Sequence, residues 1–461
     1  MQFIGRESEI KKFNERAIST NAELVFLYGR RRIGKTEFLR KFVQDKTAFF
    51  FSATESSDFE QRTRFKDELL SFGIDVESAF LTDWQEIFKA LPKLKKNEKA
   101  IIIIDEFQYM FMGNKAIPSI LQNIWDIYLS KSNIMLILCG SAMSFIEQKV
   151  LGGKNPLYGR ATAIFKMQEL SFVDSIKFFP NYSLEEKIIA YSILGGVPYY
   201  LKQFSPQLSL KENIVKNILS TETILYNEIE FLLKQEFREV SIYNTIIAAI
   251  ALGNTKLNEI TQKTMIEGAK ANVYIKNLMK VGVVAKEYSL LDTVKSGANI
   301  QRGLLKIQNN FFRFWYRYVY PNKSEIERGY ITDLAEAIYC NTSTQLVSLI
   351  FEDICLEHIA KLNYTGRLPF KAKHIGRIWS KDLEIDGGAI LQNKIFLAEC
   401  KWTNALIDER VLFNLQEKAE KHSALKNFEK YYCLFSKRGF TQKIYDSKSN
   451  VYLVELDDLI K

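Results

Sequence analysis

Three groups of residues in this chain have types and spacings that could do chemistry. The first lies in Leu24 to Thr36, LVFLYGRRRIGKT. A run of strand formers ends at Gly29, four residues follow (Arg30, Arg31, Arg32, Ile33), and Gly34, Lys35 and Thr36 open a helical pattern with Glu37, Phe38, Leu39 and Phe42. Glycine at 29 and 34 lets backbone N–H groups turn inward onto phosphate oxygens, which a larger side chain would obstruct. Lys35 brings a cation to the β and γ phosphates, the Thr36 hydroxyl can ligate Mg²⁺, and the helix N-terminus adds a positive field. Chance alone produces the pattern in roughly one or two of every hundred chains this long. The plainer alternative is a glycine turn flanked by surface arginines.

The second group ends apolar runs downstream. Ala100 to Glu106, AIIIIDE, reads as a strand buried on both faces with two carboxylates at its end. Nucleotides bind at the carboxyl ends of parallel strands, so Asp105 would hold Mg²⁺ and Glu106 would polarise the attacking water. Ile134 to Cys139 is followed by Gly140 and Ser141, which makes Ser141 a candidate sensor of the γ-phosphate. Arg160, closing the turn PLYGR (Pro156 to Arg160), is either an arginine finger or a surface residue.

The third group sits in Leu383 to Trp402, LEIDGGAILQNKIFLAECKW, read as a hairpin turning at Gln392 and Asn393. In that register Leu391 faces Lys394 and Asp386 faces Glu399, so two carboxylates lie side by side. Opposed like charges destabilise a strand pair, and a divalent cation would compensate. Lys401 shares a face with Glu399 and could orient or activate water there. The plainer alternative is a surface hairpin of mixed charge.

The elements that position these groups follow from periodicity. Phe3 to Phe13 is a short amphipathic helix, and Thr47 to Ser52 and Ala161 to Met167 are further strands of the first sheet. Leu194 to Leu233 is helical. Arg238 to Leu252, Lys256 to Thr264 and Gly268 to Val281 are three helices, followed by β runs at Val283 to Glu287 and Leu304 to Gln308, the order of a winged helix-turn-helix. Lys270, Lys276 and Lys280 give its third helix a basic face, suited either to DNA phosphates or simply to solvent. In FFRFWYRYVY (Phe311 to Tyr320), Phe311, Phe314, Trp315 and Tyr318 fall on one packing stripe, with Arg313 and Arg317 on another face. Thr344 to Leu362 is an amphipathic helix.

Length and composition bound the rest. The 461 residues suggest about three domains, and 47% hydrophobic with 25% charged residues is globular rather than disordered. Sixty-three basic against 54 acidic residues leave +9, which favours polyanionic partners. Five scattered cysteines without a CxxC pair, and three histidines, speak against zinc and for a reducing compartment. The charged start lacks a signal-peptide core and no apolar run reaches membrane-spanning length, so the expected location is cytoplasmic, with no membrane partner.

FIGRE, GRRRIGKT, IIIIDE, LCGSA, LYGR and LGGVPYYL (Leu194 to Leu201) together resemble the archaeal-type branch of the AAA+ P-loop ATPases, close to the STAND group. The resemblance implies ATP and Mg²⁺ as cofactors, the Gly5, Arg6 and Glu7 box beside the nucleotide, and a helical lid beginning at Gly195, Gly196 and Pro198. FRFWYRYVYPN resembles the start of the domain of unknown function often fused to such ATPases. The C-terminal region resembles the PD-(D/E)xK nuclease superfamily, which implies Glu352, Asp386 and Glu399 as metal ligands, Lys401 as the core lysine and Gln416 towards substrate. No proline precedes Asp386.

The expected class is therefore α/β: an AAA+-type P-loop NTPase core with a parallel sheet (1–193), a helical lid (194–237), a winged helix-turn-helix (238–320) and a restriction-endonuclease-like α/β domain (321–461). The expected function is an ATP-driven switch coupled to metal-dependent DNA cleavage. The alternative keeps the ATPase and makes the last domain a catalytically silent binding module in signalling or defence. ATP and ADP are expected partners, and DNA and a homo-oligomer are admitted.

Overall fold

The computed structural model describes residues 3–74, 77–94, 98–141, 147, 157–294, 303–445 and 450–461. Ala142 and Pro156 of the motifs above, and the lysines at 95 and 96, lie outside these. The chain forms two compact units, Met1–Leu170 with Val197–Tyr199, and Ser171–Gly196 with Tyr200–Lys461.

The first unit is built on an all-parallel sheet of β1 (Glu23–Tyr28), β2 (Ala48–Ser52), β3 (Ala100–Asp105), β4 (Ile134–Gly140) and β5 (Ala163–Lys166), in the order β2-β3-β4-β1-β5. Every residue of β1, β3 and β4 is buried, because both faces of the sheet are covered. The isoleucine run shows how. Ile102 and Ile104 join Phe26, Trp84, Phe88 and Ile124 on one side, while Ile101 and Ile103 join Val25, Phe13 and Phe38 on the other. Phe13, from the helix Glu7–Ala17, meets Phe38 of the helix Lys35–Phe42 edge-on at 4.9 Å. Strand β4 lies between β1 and β3, so the ends of three adjacent strands present the glycine loop, Ser141 and the Asp105–Glu106 pair together.

The second unit contains the helices Val240–Ala251, Leu257–Thr264 and Gly268–Lys280, followed by β6 (Val284–Glu287) and β7 (Leu304–Ile307), which pair antiparallel. The aromatic run forms a short helix, Asn310–Phe314, that widens into a π-helical turn at Trp315–Val319. Phe311, Phe314, Trp315 and Tyr318 are buried, as their stripe predicts. Arg313 departs from expectation, since it too is buried, donating to the Ile307 carbonyl at 2.8 Å and lying 3.6 Å from Asp353. A local periodicity could not reveal the distant carboxylate that draws it inward.

After the long helix Val347–Tyr364 come β8 (His374–Trp379), β9 (Glu384–Leu391) and β10 (Lys394–Lys401), successively antiparallel, then the helix Glu409–Lys421, then β11 (Glu429–Ser436) and β12 (Val451–Glu455), which continue the sheet in parallel. The hairpin turns at Gln392, which adopts φ 52°, and pairs Leu391 with Lys394 and Gly387 with Ala398, the register read from the sequence. A register irregularity in β8 falls between Gly376 and Ile378, on either side of Arg377.

Candidate nucleotide site

Strand β1 delivers the chain into the loop, and packing dictates glycine there. A Cβ on Gly29 would stand 2.5 Å from both Ile33 Cδ1 and the Met167 carbonyl oxygen. Gly34 takes φ 88° and caps the helix that begins at Lys35, and Arg32 is also left-handed at φ 70°. The Lys35 ammonium is buried and donates to the carbonyls of Gly29 (2.9 Å) and Arg30 (3.0 Å), so it holds the loop closed around itself. Burial lowers its pKa, against the opposing pull of Cys139, Glu106 and Asp105.

The acidic residues lie where the strand order places them. Thr36 Oγ1 donates to Asp105 Oδ2 at 2.8 Å, and Asp105 Oδ1 accepts from the Glu106 backbone N–H at 2.9 Å. Glu106 has φ 53°, and its carboxylate accepts from Ser141 Oγ at 2.7 Å and from the Gln108 amide. The Gln108 amide also reaches Ser141 Oγ at 3.3 Å. Lys35, Thr36, Asp105, Glu106 and Ser141 thus lie within one hydrogen-bonded and electrostatic network. Gln108 is a member that sequence reasoning missed. Its only signal was a position two residues beyond Glu106.

The other loop residues have structural partners. Arg30 pairs with Glu169 at 3.7 Å, the Arg32 guanidinium lies 4.5 Å over the Tyr199 ring, and Ile33 is buried. Glu37 pairs with Arg40 in the open. Pro198 approaches the Cβ position of Gly34 to 3.8 Å, so the Val197–Tyr199 segment borders the loop. Arg6, with φ 69°, donates to the Gln168 carbonyl and to Glu9. Arg160 forms a two-pronged, exposed pair with Asp126 on the helix Ile117–Ile127 (2.8 and 3.1 Å).

The C-terminal carboxylates each meet groups of the protein itself. Asp386 Oδ2 accepts from the Cys400 backbone N–H at 2.8 Å. Glu399, almost fully buried, is met by Lys401 at 2.7 Å on one oxygen and by Lys418 at 3.7 Å on the other. Two lysines thus lie against the Glu399 carboxylate, while its Oε2 is buried without a hydrogen-bond partner among the described residues. Lys418, on the helix Glu409–Lys421, has no local sequence relation to the hairpin and escaped notice. Burial, then Glu399, raises the Asp386 pKa. Burial works against Lys401, but the Glu399 hydrogen bond and charge outweigh it and raise its pKa.

Glu352 engages Arg377 and feels the charge of Asp386. It accepts from Arg377 Nε at 3.0 Å, while the same guanidinium holds Glu287 at 2.9 Å and Asp353 at 2.8 Å. Lys306 and Arg313 complete the cluster around Asp353. Burial pushes Asp353 up, but Lys306, Arg377 and Arg313 hold it well below the usual carboxylate range. Burial also raises Glu352, to about 7, with Asp386 adding to the shift and Arg377 opposing it. Among the described residues no group of three or more His, Cys, Asp or Glu side chains could hold a metal ion. The same residues include no helix long and apolar enough to cross a membrane.

Residues 3–204 match the model of an ATPase domain predominantly from Archaea, and residues 315–423 that of archaeal and bacterial proteins of unknown function. The uncharacterized protein MJECL04 of Methanocaldococcus jannaschii is 34% identical over 441 residues, 95% of this chain and 96% of that protein. The chain belongs to that protein's family. An uncharacterized ATP-binding protein of the same organism, MJ0423, is 37% identical over 46 residues, 10% of this chain and 78% of its own length. Among solved structures, the Aeropyrum pernix ORC2 protein (ADPNP-ADP complexes) gives a TM-score of 0.41 at 14% identity, covering 72% of this chain and 92% of that one. A STAND protein with a tetratricopeptide repeat sensor, PH0952 of Pyrococcus horikoshii, gives 0.33 at 15% identity, covering 78% and 50%.

Proposed function

We propose that the chain binds ATP with Mg²⁺ and hydrolyses it slowly, as a nucleotide-driven switch. The observation that supports this is the convergence of Lys35, Thr36, Asp105, Glu106 and Ser141 at the carboxyl ends of β1, β3 and β4. Bound phosphates would take the Lys35 ammonium from the two loop carbonyls it now satisfies. The Thr36 hydroxyl and Asp105 carboxylate, already in contact, are hard oxygen donors suited to Mg²⁺, which would neutralise phosphate charge. Glu106, oriented by Ser141 and Gln108, would accept a proton from the attacking water. Isothermal calorimetry with ATP and Mg²⁺ tests the reading. Tight binding by wild type and none by Lys35→Ala is the expected result, whereas undiminished affinity in the variant would sink it.

For the C-terminal domain we propose a binding role without catalysis, joined to the ATPase through the four-part division given above. Arg377 engages Glu352 and two lysines engage Glu399, so the donors do not fit a metal as they stand. DNA is the proposed partner, with Lys270, Lys276 and Lys280 exposed along one helix of the winged-helix order. Nuclease action is the second reading. It is favoured by the hairpin register, whose last pair Gly387–Ala398 adjoins Asp386 and Glu399, by the charge of Glu399 on Asp386, and by the order of one helix, three antiparallel strands, a helix and a parallel strand. Plasmid and single-stranded DNA incubated with Mg²⁺ or Mn²⁺, with and without ATP, should stay intact. Cleavage that Asp386→Ala abolishes would restore the nuclease reading.

A further inference from the structure

A cavity of about 870 Å³ opens in the second unit between the helices Leu257–Thr264 and Gly268–Lys280, strand β7 and the end of β8. Its lining combines three kinds of group. The lysines are Lys256, Lys286 and Lys381, and among the described lining residues the one carboxylate is Asp292. Amides come from Asn258 and Asn272, both exposed. An apolar surface comes from the half-buried Trp379 with Leu305 and Ile275. Lys256 also lies 3.3 Å from Glu259, an exposed pair that water and salt weaken.

We propose that this groove binds a short single-stranded stretch of nucleic acid. The excess of lysine over carboxylate selects an anionic occupant, and a phosphodiester strand places charge at intervals along a groove as a compact anion cannot. The indole and the apolar floor need a flat partner to cover them. Base faces supply that in a single strand, whereas a duplex keeps them stacked inside and offers only edges. Asn258 and Asn272 can bond to those edges as the bases turn out. The volume is near the upper end of ordinary ligand clefts and accommodates about two nucleotides. The inference rests on the nucleic-acid partner proposed above and specifies its strand form and place, moving the contact from the lysine face of one helix into the groove.

The test uses the full chain without nucleotide and 12-mers of dT, rU and duplex DNA, read by fluorescence anisotropy and by quenching of tryptophan emission. Wild type should bind a single strand at least tenfold tighter than duplex, with dT against rU showing which sugar is preferred. Trp379→Phe should lose most of the quenching, and Trp379→Ala should weaken binding about tenfold. Lys256→Glu with Lys381→Glu, both at exposed positions, should weaken it further and reduce the salt slope by about 1.4. Duplex binding lost in a Lys270→Glu, Lys276→Glu, Lys280→Glu variant but untouched by the groove variants would overturn the groove and spare the partner. No binding of any oligonucleotide would overturn both.

Discussion

Thr36 Oγ1 donates to Asp105 Oδ2 across 2.8 Å, although the two residues are 69 apart in the chain. The contact ties the loop helix to the end of β3 before any ligand arrives. A hydrogen bond to a charged group is worth about 1.5–3 kcal/mol, so Thr36→Ala should lower the melting temperature of the nucleotide-free protein. It should also remove the gain in ATP affinity that Mg²⁺ brings to wild type. Calorimetry with Mg²⁺ and with EDTA measures that gain, and an unchanged gain would take Thr36 out of the metal site.

Glu106 and Ser141 make the second prediction. Glu106→Gln should keep ATP affinity while lowering kcat by about 10²–10⁴, the usual contribution of a positioned proton acceptor. Ser141→Ala leaves Glu106 with Gln108 alone and should lower kcat by a smaller factor. Phosphate release at saturating ATP measures both, and full turnover in Glu106→Gln would reassign the water-polarising role.

Gly29→Ala sets a methyl 2.5 Å from the Met167 carbonyl, a backbone atom that cannot rotate away. The expected cost is about 1–3 kcal/mol, with loss of nucleotide binding as the loop shifts. Gly159→Ala, where the added methyl would meet nothing within 4 Å, is the matched control and should melt with wild type. Equal melting of both variants would show that the loop yields.

Arg377 satisfies three carboxylates, Glu352, Asp353 and Glu287. Arg377→Met leaves them partly uncompensated in a half-buried place and should cost up to about 3 kcal/mol, measured by denaturant unfolding of the second-unit transition. A loss below about 1 kcal/mol would mean that Lys306 and Arg313 suffice.

Glu352 should make stability depend on pH in a stated direction. Its pKa in the folded chain is raised to about 7, above the ordinary value near 4.5. An acid raised in this way favours folding while protonated, and that contribution disappears as pH climbs through about 7. Glu352→Gln lacks the titration, so wild type should lose melting temperature relative to the variant between pH 5 and pH 8. The size of the loss is set by about 1.4 kcal/mol for each tenfold difference in proton affinity between the folded and unfolded chain. A pH-independent difference would show that Glu352 stays ionised throughout.

What the sequence by itself determined lies within single elements or adjacent ones. The glycine spacing, Lys35 and Thr36 are local to one strand-loop-helix. The isoleucine run announced a doubly covered strand, and the turn at Gln392 and Asn393 set the β9–β10 register because a hairpin's pairing is arithmetic once its turn is known. Tertiary structure alone decided which charges meet. Insertion of β4 between β1 and β3 brought Ser141 to Glu106, and the packing of helices on the second sheet carried Lys418 to Glu399 and Glu352 to Arg377. Periodicity along a chain reports which face of an element is apolar. A charged side chain finds its partner through the crossing of elements far apart in sequence, where burial without a counter-charge would be too costly, and neither hydrophobic spacing nor composition records that crossing.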